Sequence, residues 1–316
     1  MRKLLANLKS RQLKGAIGLV AVLFLARCLV RYGYQLPPMR LADLAPALAV
    51  CLLLMTLQRL VGAALWFGVL GSCGPGLPLW DALRIHTRAQ LARYIPGNVW
   101  HIFNLSYWCR QEGIPVGPVV ASLLLENVYS VLGGAFFALV TAPLWLRSGS
   151  RYSFVLLCLA FPVGLLLVHP RVFRPLLAIP ARLLRKAPPD CALTFGQSLL
   201  FVLLYGVSFL GHGLALCVLV AATHTGPVAL FTLAGICAAS WTVGFLSFLT
   251  PAGLGVREGV MTLMLAQFLP MGTALLLPLL LRFLMVLGEL VAACLPFPQQ
   301  ERALPRVEGE LVKERE

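Results

Sequence analysis

Five ionisable residues lie within or at the edge of long apolar runs: Glu126, the adjacent Arg257-Glu258, Arg282 and Glu289. A charge at the centre of a bilayer costs about 3 kcal/mol on insertion scales, so such groups face a partner or a polar cavity and mark ion or substrate paths. Two Pro/Gly breaks accompany them, Arg93-Tyr94-Ile95-Pro96-Gly97-Asn98 and Thr250-Pro251-Ala252-Gly253-Leu254-Gly255. Broken backbone in hydrocarbon is tolerated only where protein or a water-filled cavity receives its unpaired N–H and C=O groups. Paired breaks, one in each half of a chain, therefore point to a binding or translocation site. A helix that starts after such a break presents free N–H groups and the positive end of its dipole. Asn98 after Pro96-Gly97, and Gly253 to Gly255 after Pro251, would let backbone approach a phosphate. Arg93 and Arg257 would add cations suited to bidentate phosphate contact. An anionic lipid headgroup fits this set better than a cation does.

The spacing adds a geometric expectation. Arg282 and Glu289 are seven residues apart, two helical turns, and so project from one face. Glu126 follows Pro96 by 30 residues and Arg282 follows Pro251 by 31. A break followed by a charge at matching distance resembles an inverted repeat, in which Glu126 and Arg282 meet near the midplane. A plainer reading stands beside it: these charges form ion pairs that lock a bundle and touch no substrate, and Arg93 anchors the interface.

The elements that must position these residues are transmembrane helices. Hydrophobic residues make up 59% of the 316 positions and charged residues 12%, about half the charged share of a soluble domain. Candidate spans cover residues 15–36, 44–70, 117–146, 152–169, 195–223, 227–250, 256–270 and 273–297. The seventh is too short to cross alone and reads as a re-entrant half-helix. The expected fold is an all-α polytopic bundle over residues 1–298, with a charged, disordered cytoplasmic tail at 299–316. Residues 79–88 alternate apolar and polar groups at helical spacing, as an interfacial helix would. The stretch from Leu91 to Tyr107 reads either as a shallow re-entrant hairpin or as an interfacial loop anchored by Trp100 and Trp108. Arg59, within the second span, is expected to snorkel toward a surface.

The net charge of +14 does not imply nucleic acid, because the basic residues lie in short segments between apolar runs. Cytoplasmic Lys/Arg segments orient helices in this way, with anionic headgroups as their natural partner. Placing the basic N-terminus in the cytoplasm puts Arg84, Arg88, Arg93, Arg110 and the basic 170–194 loop there too, and eight crossings return the C-terminus to that side. Arg147 and Arg151 are left outside, against the rule. The N-terminus reads as an uncleaved first span, since no small-x-small cleavage site follows Ala26.

The nine cysteines include no C-x-x-C pair, and most lie in expected helices, where cysteine acts as a small apolar residue. Histidines 86, 101, 169, 212 and 224 are scattered without metal-ligand spacing, and His212 reads as a packed residue. The G-x-S-x-G elbow, the Walker loop and the dinucleotide fingerprint are absent, so no cofactor is expected.

Taken together, Leu91-Ala92-Arg93-Tyr94-Ile95-Pro96-Gly97-Asn98-Val99-Trp100, Glu126, and the run from Gly244 through Pro251-Ala252-Gly253-Leu254-Gly255-Val256-Arg257-Glu258-Gly259 resemble the flippase-like family. This is the transmembrane region of lysylphosphatidylglycerol synthases and its stand-alone bacterial and archaeal relatives. Pro251, Gly253, Gly255 and Glu258 match its most specific element; Arg93, Pro96, Gly97 and Glu126 match a looser one. The resemblance implies a bacterial inner-membrane protein tied to lipid translocation or to envelope lipid and glycan assembly. The cytosolic aminoacyl-transfer domain of the fused synthases is expected to be missing.

Two functions are expected on these grounds. One is a non-enzymatic lipid translocase for an anionic phospholipid or polyprenyl-linked lipid. The other is a membrane scaffold for a glycosyltransferase or lipid-modifying enzyme, docked through the 170–194 loop and the tail. An integral-membrane enzyme with Glu126 or Glu258 as base is the third reading, and it lacks a nucleophile–base constellation.

Overall fold

The computed structural model describes residues 41–94, 100–145, 191, 193–247 and 255–298. The described residues form helices α1 (Leu41–Gly71), α2 (Leu79–Gln90), α3 (Trp100–Gln111), α4 (Val116–Trp145), α5 (Phe195–Ala222), α6 (Leu230–Leu246), α7 (Val256–Leu265) and α8 (Met271–Cys294), with a 3-10 turn over Leu91–Tyr94. The spans expected at 15–36 and 152–169, the basic loop after the second of them and the tail lie outside these residues. So do Pro96, Gly97, Asn98, Pro251 and Gly253.

Four helices are long and apolar enough to cross a membrane: α1 from Leu44, α4, α5 and α8. At 1.5 Å per residue the 24 residues of α8 span about 36 Å, more than the hydrocarbon core of about 30 Å. Helix α6, at 17 residues, is shorter, and α7, at ten, reaches only about 15 Å before the chain turns into α8. The chain is a multi-pass, all-helical membrane protein.

Small residues let the long helices approach closely, as expected where lipid gives no hydrophobic drive to helix association. A Cβ built on Gly133 of α4 would lie 2.5 Å from the Gly206 nitrogen and from the Val202 carbonyl oxygen of α5. Gly213 of α5 meets Ala234 of α6, and Gly288 of α8 meets the backbone at Met55 and Thr56 of α1. One apolar core, with Met55, Phe209, Leu216, Ile236, Leu265 and Leu281 among its members, links these helices to α7.

Helix α2 forms where the spacing of residues 79–88 places a helix, and it is more buried than an amphipathic stripe alone implies. Eight of its twelve residues are buried, including Asp81, His86, Thr87 and Gln90. An amphipathic stripe alone does not say which face meets lipid; here α2 packs against α1, α3 and α8, so its polar side chains turn inward and need partners there. Within the stretch read as a hairpin or an interfacial loop, residues 100–107 belong to helix α3, and neither α2 nor α3 is long enough to cross. Trp100, Phe103, Tyr107 and Trp108 of α3 stay exposed, as side chains of an aromatic belt do.

Cys73, just past α1, and Cys191, just before α5, have sulfurs 2.9 Å apart, and both are buried without forming a disulfide. The hydrogen bond to Cys191, then burial, pushes the Cys73 thiol up, so thiolate is scarce there. Both residues should therefore resist maleimide at pH 8 in the folded protein and react in denaturant. Peptide mass spectrometry after differential labelling checks this, and labelling of either before unfolding would contradict it.

Candidate functional site

The second break leads into α7, and its last residue sets the geometry of the helix start. Gly255 has φ +84°, a left-handed conformation that side-chain-bearing residues rarely adopt. The chain then enters α7, and Glu258 reaches back so that its Oε2 accepts the Gly255 N–H at 2.7 Å. One free N–H of the new helix is therefore satisfied by Glu258. Its other oxygen, Oε1, is buried without a hydrogen-bond partner. Arg282 Nε approaches that oxygen at 3.9 Å, an ion pair too long for a hydrogen bond.

Arg257 lies beside this pair and is 6% exposed. Gly244 of α6 lets it in, since a Cβ there would fall 2.9 Å from the Arg257 Cβ. Its hydrogen bond goes from Nη2 to the Met285 sulfur at 3.4 Å, a weak acceptor for a group with five N–H donors. No carboxylate lies within ion-pair distance of Arg257 among the described residues. Arg257, Glu258, Met261, Pro278, Leu281 and Arg282 line a crevice with no room for a water molecule. The wet hollow expected here is, over its described part, closed.

Glu289 also faces inward, but toward α1: Arg59 Nη1 donates to its Oε1 at 3.0 Å. This corrects one expectation. Arg59 does not snorkel, because a buried carboxylate is in reach and an unpaired charge in the bundle would cost more. Arg282 and Glu289 serve different neighbours, although both lie along one stripe of α8. Arg59, Arg257 and Arg282 share one electrostatic neighbourhood, in which Arg59 pairs with Glu289 and Arg282 with Glu258, so among the described residues three arginines there meet two acids.

Glu126 occupies a separate polar pocket. It meets His86 Nε2 at 3.3 Å, not Arg282, so the midplane contact of an inverted repeat does not form. Gln90 Nε2 lies 3.1 Å from the same His86 nitrogen, and Arg93 donates to Gln90 Oε1. His86 Nε2 makes one of its two contacts at a time, donating to Glu126 as N–H or accepting from Gln90 as bare nitrogen. His86, Gln90 and Arg93 succeed one another at helical spacing on α2 and the turn after it. Trp66 of α1 stacks on the imidazole with centroids 4.9 Å apart. Burial first, and the Arg93 guanidinium second, hold the nearby His101 imidazole down at about 4.

The sequence reading gave Arg59 and His86 no side-chain partner and did not single out Gln90 or Met285. Arg59 was the most findable, since an arginine deep in an apolar run requires an acid of matching depth, and Glu289 was at hand. Among the described residues no three His, Cys, Asp or Glu side chains gather as a metal site.

Long apolar helices, a helix start at Gly255 capped by Glu258, and a buried arginine beside it belong to a polytopic membrane protein with polar side chains inside its bundle. The chain belongs to the lysylphosphatidylglycerol synthase TM region family, whose model matches residues 11–293. A search of curated proteins returns no match.

Proposed function

We propose that this chain is a non-enzymatic lipid translocator of a bacterial inner membrane. It would pass an anionic phospholipid or polyprenyl-linked headgroup between leaflets for envelope lipid or glycan assembly. The observation that carries the reading is Arg257, a buried guanidinium whose hydrogen bond goes to a thioether. A phosphate there would supply the bidentate acceptor that the arginine lacks, and Arg282 is close enough to share it. The surplus positive charge around Arg59, Arg257 and Arg282 supports an anion over a cation. Glu258 would hold the entry to α7 in shape, and Gly255 would let the backbone approach. Because the crevice is shut, α7 and α8 must part for a headgroup to enter, and the closed form represents one side of a cycle.

The shut crevice is also what favours the second reading, a scaffold for an envelope-assembly enzyme, since ion pairs in a tight bundle need no substrate. Reconstitution into vesicles with fluorescent anionic lipids separates the two. Wild-type protein should speed exchange between leaflets, and the Arg257→Ala, Glu258→Gln double change should return it to the protein-free rate. Equal exchange by both proteins would defeat the translocator. Stable co-purification with an enzyme, and no exchange, would favour the scaffold.

A further inference from the structure

A second cavity, of about 110 Å³, shares no residue with the central crevice and is lined by Arg84, Ile85, Arg88, Trp108, Gln111 and Glu112. It sits where the last turns of α2, α3 and α8 come together, since Arg88 Nε donates to the Ala293 carbonyl of α8 at 3.3 Å. The exposed Tyr107 and Trp108 pack edge-on beside it, ring centroids 5.8 Å apart, and place its rim at headgroup depth.

The charges on its wall are not equivalent. Arg84 is taken up by two acids, Asp81 at 2.6 Å and Glu112 at 3.2 Å. Arg88 bonds to a neutral carbonyl and meets no carboxylate among the described residues. With Asp81 included, two arginines face two acids among the described residues, so these charges balance but are polarised, with the Arg88 guanidinium on one side and the Glu112 carboxylate, which also receives Arg84, on another. A purely anionic headgroup would gain from Arg88 and be repelled by Glu112. A headgroup that carries both a phosphate and a primary ammonium satisfies both.

We infer that this cavity is an interfacial site for an aminophospholipid headgroup. Arg88 takes the phosphate, Glu112 and Gln111 accept from the ammonium, and Trp108 covers the glycerol. A primary ammonium is preferred to a quaternary one because it has N–H groups to donate. The cavity shares no lining residue with the central crevice, and its occupancy can be read without reading transport.

Native mass spectrometry of the detergent-solubilised protein, titrated with phosphatidylethanolamine, phosphatidylglycerol and phosphatidylcholine, tests the assignment without reading lipid movement. The wild type should retain phosphatidylethanolamine over the other two. Arg88→Ala should weaken its retention about tenfold, as loss of a charged hydrogen bond does. Glu112→Gln should remove the preference for ethanolamine while sparing phosphatidylglycerol; Arg84 keeps its bond to Asp81 in that variant, so the fold stands. Equal retention of the three lipids by the wild type, or a preference unchanged by both substitutions, would overturn the inference. Displacement by an equal concentration of soluble phosphoethanolamine would overturn the lipid assignment in favour of a free metabolite.

Discussion

Glu289→Ala should destabilise the protein by about 3 kcal/mol, because it strands Arg59 in the bundle. The carboxylate is 5% exposed and Arg59 is 25% exposed, so water cannot readily replace the lost partner. The pair spans α1 and α8, two elements in wide contact, and its loss falls on a contact between spanning helices. Removing both charges should behave differently. Arg59→Met with Glu289→Leu takes away the stranded cation and fills its space with apolar atoms, and should recover most of the loss. Melting of the detergent-solubilised protein, followed by a thiol-reactive dye that reports the buried cysteines, gives the comparison. A double variant no more stable than Glu289→Ala would show that the pair contributes more than mutual neutralisation.

Gly133→Ala should cost about 3 kcal/mol although alanine is the better helix former. The added methyl would lie 2.5 Å from two backbone atoms of α5, and backbone cannot swing away as a flexible side chain would. Relief requires α4 and α5 to separate, which loosens the packing of their neighbours as well. Gly62→Ala provides the opposite sign. Nothing lies within 4 Å of a Cβ at that position of α1, so the helix should gain up to about 1 kcal/mol from reduced backbone freedom in the unfolded chain. The same melting assay reads both variants; a Gly133→Ala protein as stable as the wild type would mean that the helices do not approach as described.

The long spans were legible because about 20 consecutive apolar residues have few alternative explanations. The left-handed Gly255 was legible because glycine alone takes that conformation readily, and its capping by Glu258 follows from the helix start it makes. Pairing was not legible. Glu126 was matched to Arg282 by counting residues from each break, but the distance along a chain does not fix which helices become neighbours. His86 won the contact because α2 turns its polar face into the bundle, and nothing in its periodicity separates an inward stripe from a lipid-facing or wet one. Arg59 shows the same limit from the other side: a lone cation in an apolar run calls for an acid, and only the packing of α1 on α8 identifies Glu289.

Arg282, Met285, Glu289 and Ala293 lie along about three turns of α8 and engage three elements between them: Arg282 and Met285 meet α7 through Glu258 and Arg257, Glu289 meets α1 through Arg59, and Ala293 meets α2 through Arg88. A rigid rod that carries all these fastenings cannot slide or rotate to loosen one without tugging on the others. A displacement of α8 that opened the crevice would therefore also load the Arg59–Glu289 and Arg88–Ala293 contacts, and ligands bound at the two ends would then be coupled reciprocally.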